Sequence, residues 1–178
     1  YKKAEKYVAY AMQNKDRAKD AQQLQLAILG AQLKSRQDSI NYAEKLAGIY
    51  AKDPENDAIL TTLTSTYSAL GMQDKAEAIV HEALAKNPNS YGALVMEGQF
   101  ASQKKDYEKA ADYLTKALAQ AKDDNARVAI NASIGQCWFY KAQERVAAVK
   151  GVLSPAARAQ FNEVYNKAIS YLETAKKL

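Results

Sequence analysis

Few residues in this chain have the type and spacing that chemistry requires. There is one histidine, His81, and one cysteine, Cys137, among 178 residues. His81-Glu82 begins the zinc-protease pattern, in which two histidines on one helix face hold the metal, but the second histidine is missing. His81 is therefore expected to be a solvated helix residue. Cys137 has no basic neighbour in sequence to stabilise a thiolate, and reads as a small buried hydrophobe beside Trp138. The glycines stand singly, so no GxxxxGK, GxGxxG or GxSxG loop is available to cradle phosphate or present a nucleophile. Carboxylates at Asp53, Glu55, Asp123 and Asp124 fall where helices should start, and there they complement the macrodipole. Asn131-Ala132-Ser133 fits a glycosylation sequon but lies inside a helical stretch. The expectation is a protein with no catalytic residues, no metal and no cofactor.

Function then has to come from a surface, and the elements that build it are helical. Ala, Leu, Lys, Gln and Glu dominate, with only 3 Pro and 7 Gly to interrupt them. The expected class is all-α. No apolar run approaches the length of a membrane span, and the start Tyr1-Lys2-Lys3-Ala4-Glu5 is not a signal peptide. A start without Met reads as a piece of a longer chain.

Pro54 and Pro88 lie 34 residues apart in similar settings, and a shift of 34 superposes many apolar positions. Leu26, Leu60 and Leu94 align, as do Leu46, Val80 and Leu114, Gly30 and Gly98, Ala76 and Ala110, and Ala83 and Ala117. Each unit holds two helical blocks split by a short polar turn, Gly71-Met72-Gln73-Asp74 or Gln103-Lys104-Lys105-Asp106. Ala76 and Ala83, seven apart on one face of the second helix, let the first helix approach closely. A single hairpin of this kind cannot bury both faces, so it must stack on neighbours. At the C-terminal end Ala110, Leu114 and Ala117 find counterparts 58 residues on, at Ala168, Leu172 and Ala175. Both arms of the last hairpin are therefore lengthened, to about 124–150 and 155–177, with Ser154-Pro155 as the start of the second.

The unit Leu60-x-x-Leu63-Thr64-x-x-Tyr67, Ala76-x-x-x-Val80-x-x-Ala83 and Pro88 resembles a tetratricopeptide repeat, as does Leu94, Gly98, Tyr107, Ala110, Leu114 and Ala117. Thr64, Glu97 and Ala101 depart from the pattern, which has Gly, Leu and Tyr there, and Tyr42 replaces a small residue in a weaker unit, loosening its two helices. The resemblance implies a right-handed α-α superhelix with an elongated C-terminal hairpin. Its parts are a half repeat (1–16, second helix only), a degenerate repeat (17–56), two regular repeats (57–90 and 91–124) and an elongated divergent repeat (125–178).

In that family the first helices line a concave groove that takes up a peptide or a partner's helix. By the resemblance the groove residues here are Lys34, Thr61, Ser65, Ser68, Val95, Gln99, Ser102, Gln136 and Phe139. A carboxylate clamp for chaperone tails needs Lys, Asn or Arg donors, whereas the matching positions hold Ala27, Ala31, Thr62, Gly92 and Met96. A neutral or apolar protein segment is the expected partner, with Met96, Val95, Phe139 and Tyr140 as apolar contacts. The alternative is self-association through the open ends of the array, at the N-terminal half repeat and at Leu172, Ala175 and Leu178.

The pI near 9.1 raises nucleic acid as a partner. Only five basic residues are Arg, and they are scattered, which disfavours phosphate recognition. Residues 1–20 carry +3, 21–90 carry −2, 91–124 carry −1 and 125–178 carry +5, so the basic excess lies at the two ends. The last hairpin is expected to meet an acidic surface. Similar arrays occur in cytosolic and bacterial envelope proteins, and the scarcity of Cys suits both. The expectation leans to the envelope or periplasm, with cytoplasm as the alternative.

Overall fold

The computed structural model describes residues 2–14, 16–149 and 151–178, which form nine α-helices and no strand. They are α1 (Lys2–Ala11), α2 (Ala18–Ala31), α3 (Arg36–Tyr50), α4 (Asp57–Ala69), α5 (Gln73–Lys86), α6 (Tyr91–Gln103), α7 (Tyr107–Leu118), α8 (Asp124–Ala147) and α9 (Pro155–Lys177). Each helix packs on its neighbours in sequence, and α4 also packs on α6. The all-α class expected from composition is therefore observed. Where sequence placed the arms of the last hairpin at 124–150 and 155–177, α8 ends at Ala147 and position 150 lies outside the described residues.

The helix starts are written into the sequence as caps. Ser35, Asn56, Ser90, Asp106, Asp123 and Ser154 each accept a hydrogen bond from the backbone N–H three residues on. Each such bond satisfies a donor that the helix leaves orphaned, worth about 1 kcal/mol. Helix α4 is rich in threonine, a mediocre helix former, and tolerates it because Thr61, Thr62, Thr64 and Thr66 donate their hydroxyls to carbonyls four residues back. Thr64, which stands where the repeat pattern has glycine, is thereby satisfied although fully buried.

The turns show the 34-residue period in their backbone. After α4, Gly71 is left-handed at φ 73°, Met72 N–H bonds to Tyr67 C=O, and Gly71 N–H bonds to Ser68 C=O. After α6, Lys105 is left-handed at φ 62°, Asp106 N–H bonds to Ala101 C=O, and Lys105 N–H bonds to Ser102 C=O. Both are the helix C-cap that needs a left-handed residue, supplied without strain by glycine and at a cost by lysine.

Close helix approach recurs in the same way. A Cβ on Gly98 would lie 2.7 Å from Leu114 Cγ and 3.4 Å from the Ala110 carbonyl; a Cβ on Gly135 would lie 2.7 Å from Leu172 Cγ and 3.1 Å from the Ala168 carbonyl. Hairpins α6–α7 and α8–α9 thus pack through equivalent residues, despite the 58-residue offset of their second helices. By contrast α2 touches α3 only lightly. The Tyr42 hydroxyl stands 3.3 Å from where a Cβ on Gly30 would be, filling the space that a small residue would leave for the helix.

Burial falls into three clusters. The first joins α2 to α6 around Leu46, Leu60, Leu63 and Val80; the second joins α6 to α8 around Leu114, Ile130 and Ile134, with Tyr171 of α9 against it. A small third cluster, Val8, Ala21 and Ile28, holds α1 on α2. Register between successive hairpins is set at their starts, where Ser90 Oγ donates to Asp57 Oδ1 at 2.7 Å and Asp57 crowds Gly92.

Candidate functional site

Most of the chemistry-bearing residues prove structural. Cys137 is buried, and desolvation pushes its thiol pKa up, against a smaller lowering by the Ser102 hydroxyl bond. Asn131 is buried on α8 and donates its side-chain amide to the Arg127 carbonyl, so its sequon is not presented to solvent. Trp138 packs partly buried against the second cluster, as expected, with Lys167 Nζ 4.9 Å from its ring centroid. His81 is exposed as expected, but its Nε2 lies 2.8 Å from Oε1 of Glu97. Glu97 is only 6% exposed and that oxygen has no hydrogen bond of acceptable angle, so the pair is a contact without alignment. No group of three metal-ligating side chains occurs among the described residues.

The residues expected to line a groove divide into separate places. Thr61 and Ser65 line an open groove of about 450 Å³ with Leu33 and Ser39, where α4 meets α3 and the turn before it. Ser68 is half-buried farther along α4. Lys34 lies in the turn between α2 and α3, not on a helix face, and its backbone N–H donates to Asp38. On α6, Gln99 is exposed, Val95 packs partly against the second cluster, and Ser102 is half-buried beside Cys137. Met96, expected as an apolar contact for a ligand, is buried in the first cluster, because its helix face is the one that α4 and α5 cover. Helices α4 and α6 lie side by side, and α8 meets α6 through the second cluster, with Cys137 beside Ser102, while it packs most extensively on α7 and α9.

Gln136 and Phe139 on α8 belong to a different arrangement. Gln136 donates its amide to the Tyr140 hydroxyl at 3.1 Å. From Tyr140 a row of rings runs in both directions: Tyr107 of α7 at 5.4 Å, Phe139 at 6.0 Å, then Tyr165 of α9 at 6.3 Å from Phe139 and Phe161 at 5.4 Å from Tyr165. The three central rings are 36–37% exposed. The row crosses three helices instead of following one. Sequence reasoning singled out Phe139 and Tyr140 and missed Tyr107, Tyr165 and Phe161. The four-residue spacing of Phe161 and Tyr165 was a visible signal, but nothing in one dimension joined them to residues 21 and more positions away.

Charge is distributed unevenly along that row. At the α7 end Glu108 is approached by Lys141 and Arg145, each at 3.8 Å. At the α9 end Arg158, one turn before Phe161, is exposed and forms no ion pair among the described residues. No described helix is long and apolar enough to cross a membrane. No protein-family model matches the chain, and comparison with curated proteins gives no match.

Proposed function

We propose that the chain is a non-catalytic interaction scaffold of the tetratricopeptide kind, a right-handed superhelix of helix pairs that holds a segment of a partner protein. The observation that carries this reading is the residue-for-residue repetition of the hairpin. Gly98 against Leu114 and Ala110 recurs as Gly135 against Leu172 and Ala168, and the left-handed cap at Gly71 recurs at Lys105. Repeated hairpins that stack leave one face of their first helices open; we assign to that face Thr61 and Ser65 of α4 and the exposed Gln99 of α6, short or neutral side chains suited to a neutral or apolar segment. The last hairpin offers a second surface, through Gln136, Phe139 and Tyr140. The test is selection of displayed random peptides on the intact chain. Enriched sequences whose affinity falls about tenfold with Gln99→Glu or Gln136→Glu support the reading; failure of any sequence to enrich sinks it.

Self-association is the second reading, favoured by an open apolar groove of about 730 Å³ between α1 and α2, lined by Tyr7, Val8, Ala21 and Leu24. Tyr7 and Leu24 are strongly exposed there. The charge distribution opposes joining the ends, since 1–20 and 125–178 are both positive. Sedimentation at several concentrations and at low and high salt decides it: a strict monomer in all conditions removes this reading.

A further inference from the structure

Resting on the scaffold reading, we infer that the groove between α1 and α2 is the seat of a partner protein's amphipathic helix, one that carries the apolar stripe of α4 and acidic flanks. The same chain already holds a helix in an equivalent groove. Helix α4 lies on both α5 and α6; its Leu60 and Leu63 join Ala76, Val80 and Ala83 of α5 in the first cluster, and Ile79 packs against it. The four residues that α1 contributes to its groove, Ala4, Tyr7, Val8 and Ala11, stand 72 positions before Ala76, Ile79, Val80 and Ala83. On α2, Ile28 stands 68 positions before Met96 of α6, and Ile28 joins Val8 in one cluster as Met96 joins Val80 in another. The pair α1–α2 thus repeats α5–α6, and the open groove of about 730 Å³ lies where α4 lies on that pair. Burial records the difference. Under α4, Ala76 and Ala83 are 0% and 5% exposed, whereas Ala4 and Ala11 are half-buried and Tyr7 is 76% exposed. A helix laid over these side chains removes that apolar surface from water.

The correspondence also fixes the chemistry of the occupant. On α5, Lys75 holds its ammonium 5.9 Å from the centroid of the Tyr67 ring of α4. Lys3 stands 72 positions before Lys75 and one turn before Tyr7, so an aromatic residue seven positions after the first leucine of the stripe meets it as Tyr67 meets Lys75. Leu24 stands where α6 has Gly92, against which Asp57 of α4 packs, and Leu24 is 54% exposed. The occupant therefore needs a small residue three positions before its first leucine, where α4 has Asp57. Arg17 and Asp20 line the groove, Lys3 adds a second cation beside it, and residues 1–20 carry +3. Carboxylates on the flanks of the partner helix complement that charge.

A second copy is opposed by its own like charge, and its first helices α4, α6 and α8 are already packed on their neighbours. An anionic membrane would suit the lysines of α1, but a bilayer surface is met by one exposed helix face, not by a groove with two walls.

The probe is a synthetic helix of about 20 residues with Leu, Leu and Tyr at the spacing of Leu60, Leu63 and Tyr67, Ala in the place of Asp57, and Ala and Glu elsewhere. A second probe has Lys for every Glu. On the intact chain the Glu helix should slow amide exchange in α1 and α2 and leave α8 and α9 unchanged. Tyr7→Gln with Leu24→Gln, both at exposed side chains, should weaken it about tenfold or more, with the circular dichroism of the free chain unchanged. Arg17→Glu should weaken the Glu helix and strengthen the Lys helix. A Glu helix that does not bind, or that binds regardless of these substitutions, overturns the inference. Random displayed peptides that the chain still selects then leave the scaffold reading standing; if none is selected, both fall. A dimer that dissociates with Leu24→Gln gives the groove to a second copy and overturns the inference. Binding to phosphatidylserine vesicles that is lost with Tyr7→Gln gives α1 to a membrane, and does so equally.

Discussion

Glu97 is the residue that most clearly departs from what its position asks for. It sits in a core position with one oxygen buried and unbonded, beside an exposed histidine whose nitrogen is close but misaligned. A buried carboxylate without hydrogen bonds costs more than the contact returns, and an apolar residue of similar length avoids that cost. Glu97→Leu should therefore raise stability by about 1 to 3 kcal/mol; an equal or lower denaturation midpoint would contradict this. Lys105 presents a smaller penalty of backbone origin. Its counterpart 34 residues earlier is Gly71, and both hold φ near 60 to 75°. Lys105→Gly should stabilise by about 1 kcal/mol by removing the Cβ from a left-handed cap. No shift in thermal midpoint would mean the strain is not there.

Among helices the same glycine-to-alanine change should have opposite signs at two places. Gly48 lies inside α3 with nothing within 4 Å of an added Cβ, so Gly48→Ala should stabilise by about 0.5 to 1 kcal/mol through helix propensity alone. At Gly98 and Gly135 the added atom meets leucine Cγ at 2.7 Å with a backbone carbonyl close behind. Overpacking there costs about 1 to 3 kcal/mol and should outweigh the propensity gain. If all three variants moved denaturation midpoints in one direction, close approach would not be what glycine supplies. Between α5 and α6, Lys104 bonds to Glu77 and Gln73 adds a second donor, which together hold the Glu77 carboxyl pKa below its ordinary value. A depressed folded-state value means this contribution is present at neutral pH and is lost as acid takes the carboxyl through its lowered pKa. Glu77→Gln should thus cost under about 1 kcal/mol at neutral pH, since Lys104 is largely exposed. It should also flatten the acid side of the stability curve; an unchanged acid limb argues against the pair.

For the whole molecule, stability should be graded along the chain. Among the described residues the α1–α2 cluster has three buried members and meets the rest through the light α2–α3 contact and Leu26, whereas α6 contributes to both larger clusters. Helices joined mainly to neighbours open in local units whose free energies need not equal the global value. Amide exchange in α1 and α2 should run about 100-fold or more faster than in α6, a difference of about 2.7 kcal/mol. Uniform protection from α1 to α9 would show a single cooperative unit instead.

The helical class, the helix starts at Asp123 and Ser154, the paired-helix pattern and the burial of Cys137 were legible in the sequence, because they follow from local periodicity, capping and polarity, whereas the start expected near Asp53 and Glu55 falls at Asp57, with Asn56 as its cap. Local chemistry also marked Tyr42 as an obstacle between its helices, and the ring indeed occupies the space over Gly30. Which face each helix turns outward was decided only in three dimensions. Met96 went to the core because α6 is covered on that side by α4 and α5, and Glu97 met His81 only because α5 and α6 run antiparallel with those positions opposed. The aromatic row likewise joins residues from 107 to 165 whose order in the chain shows no common pattern. Periodicity encodes a face relative to its own helix axis, while the meeting of three faces depends on helix crossings that the tertiary structure alone determines.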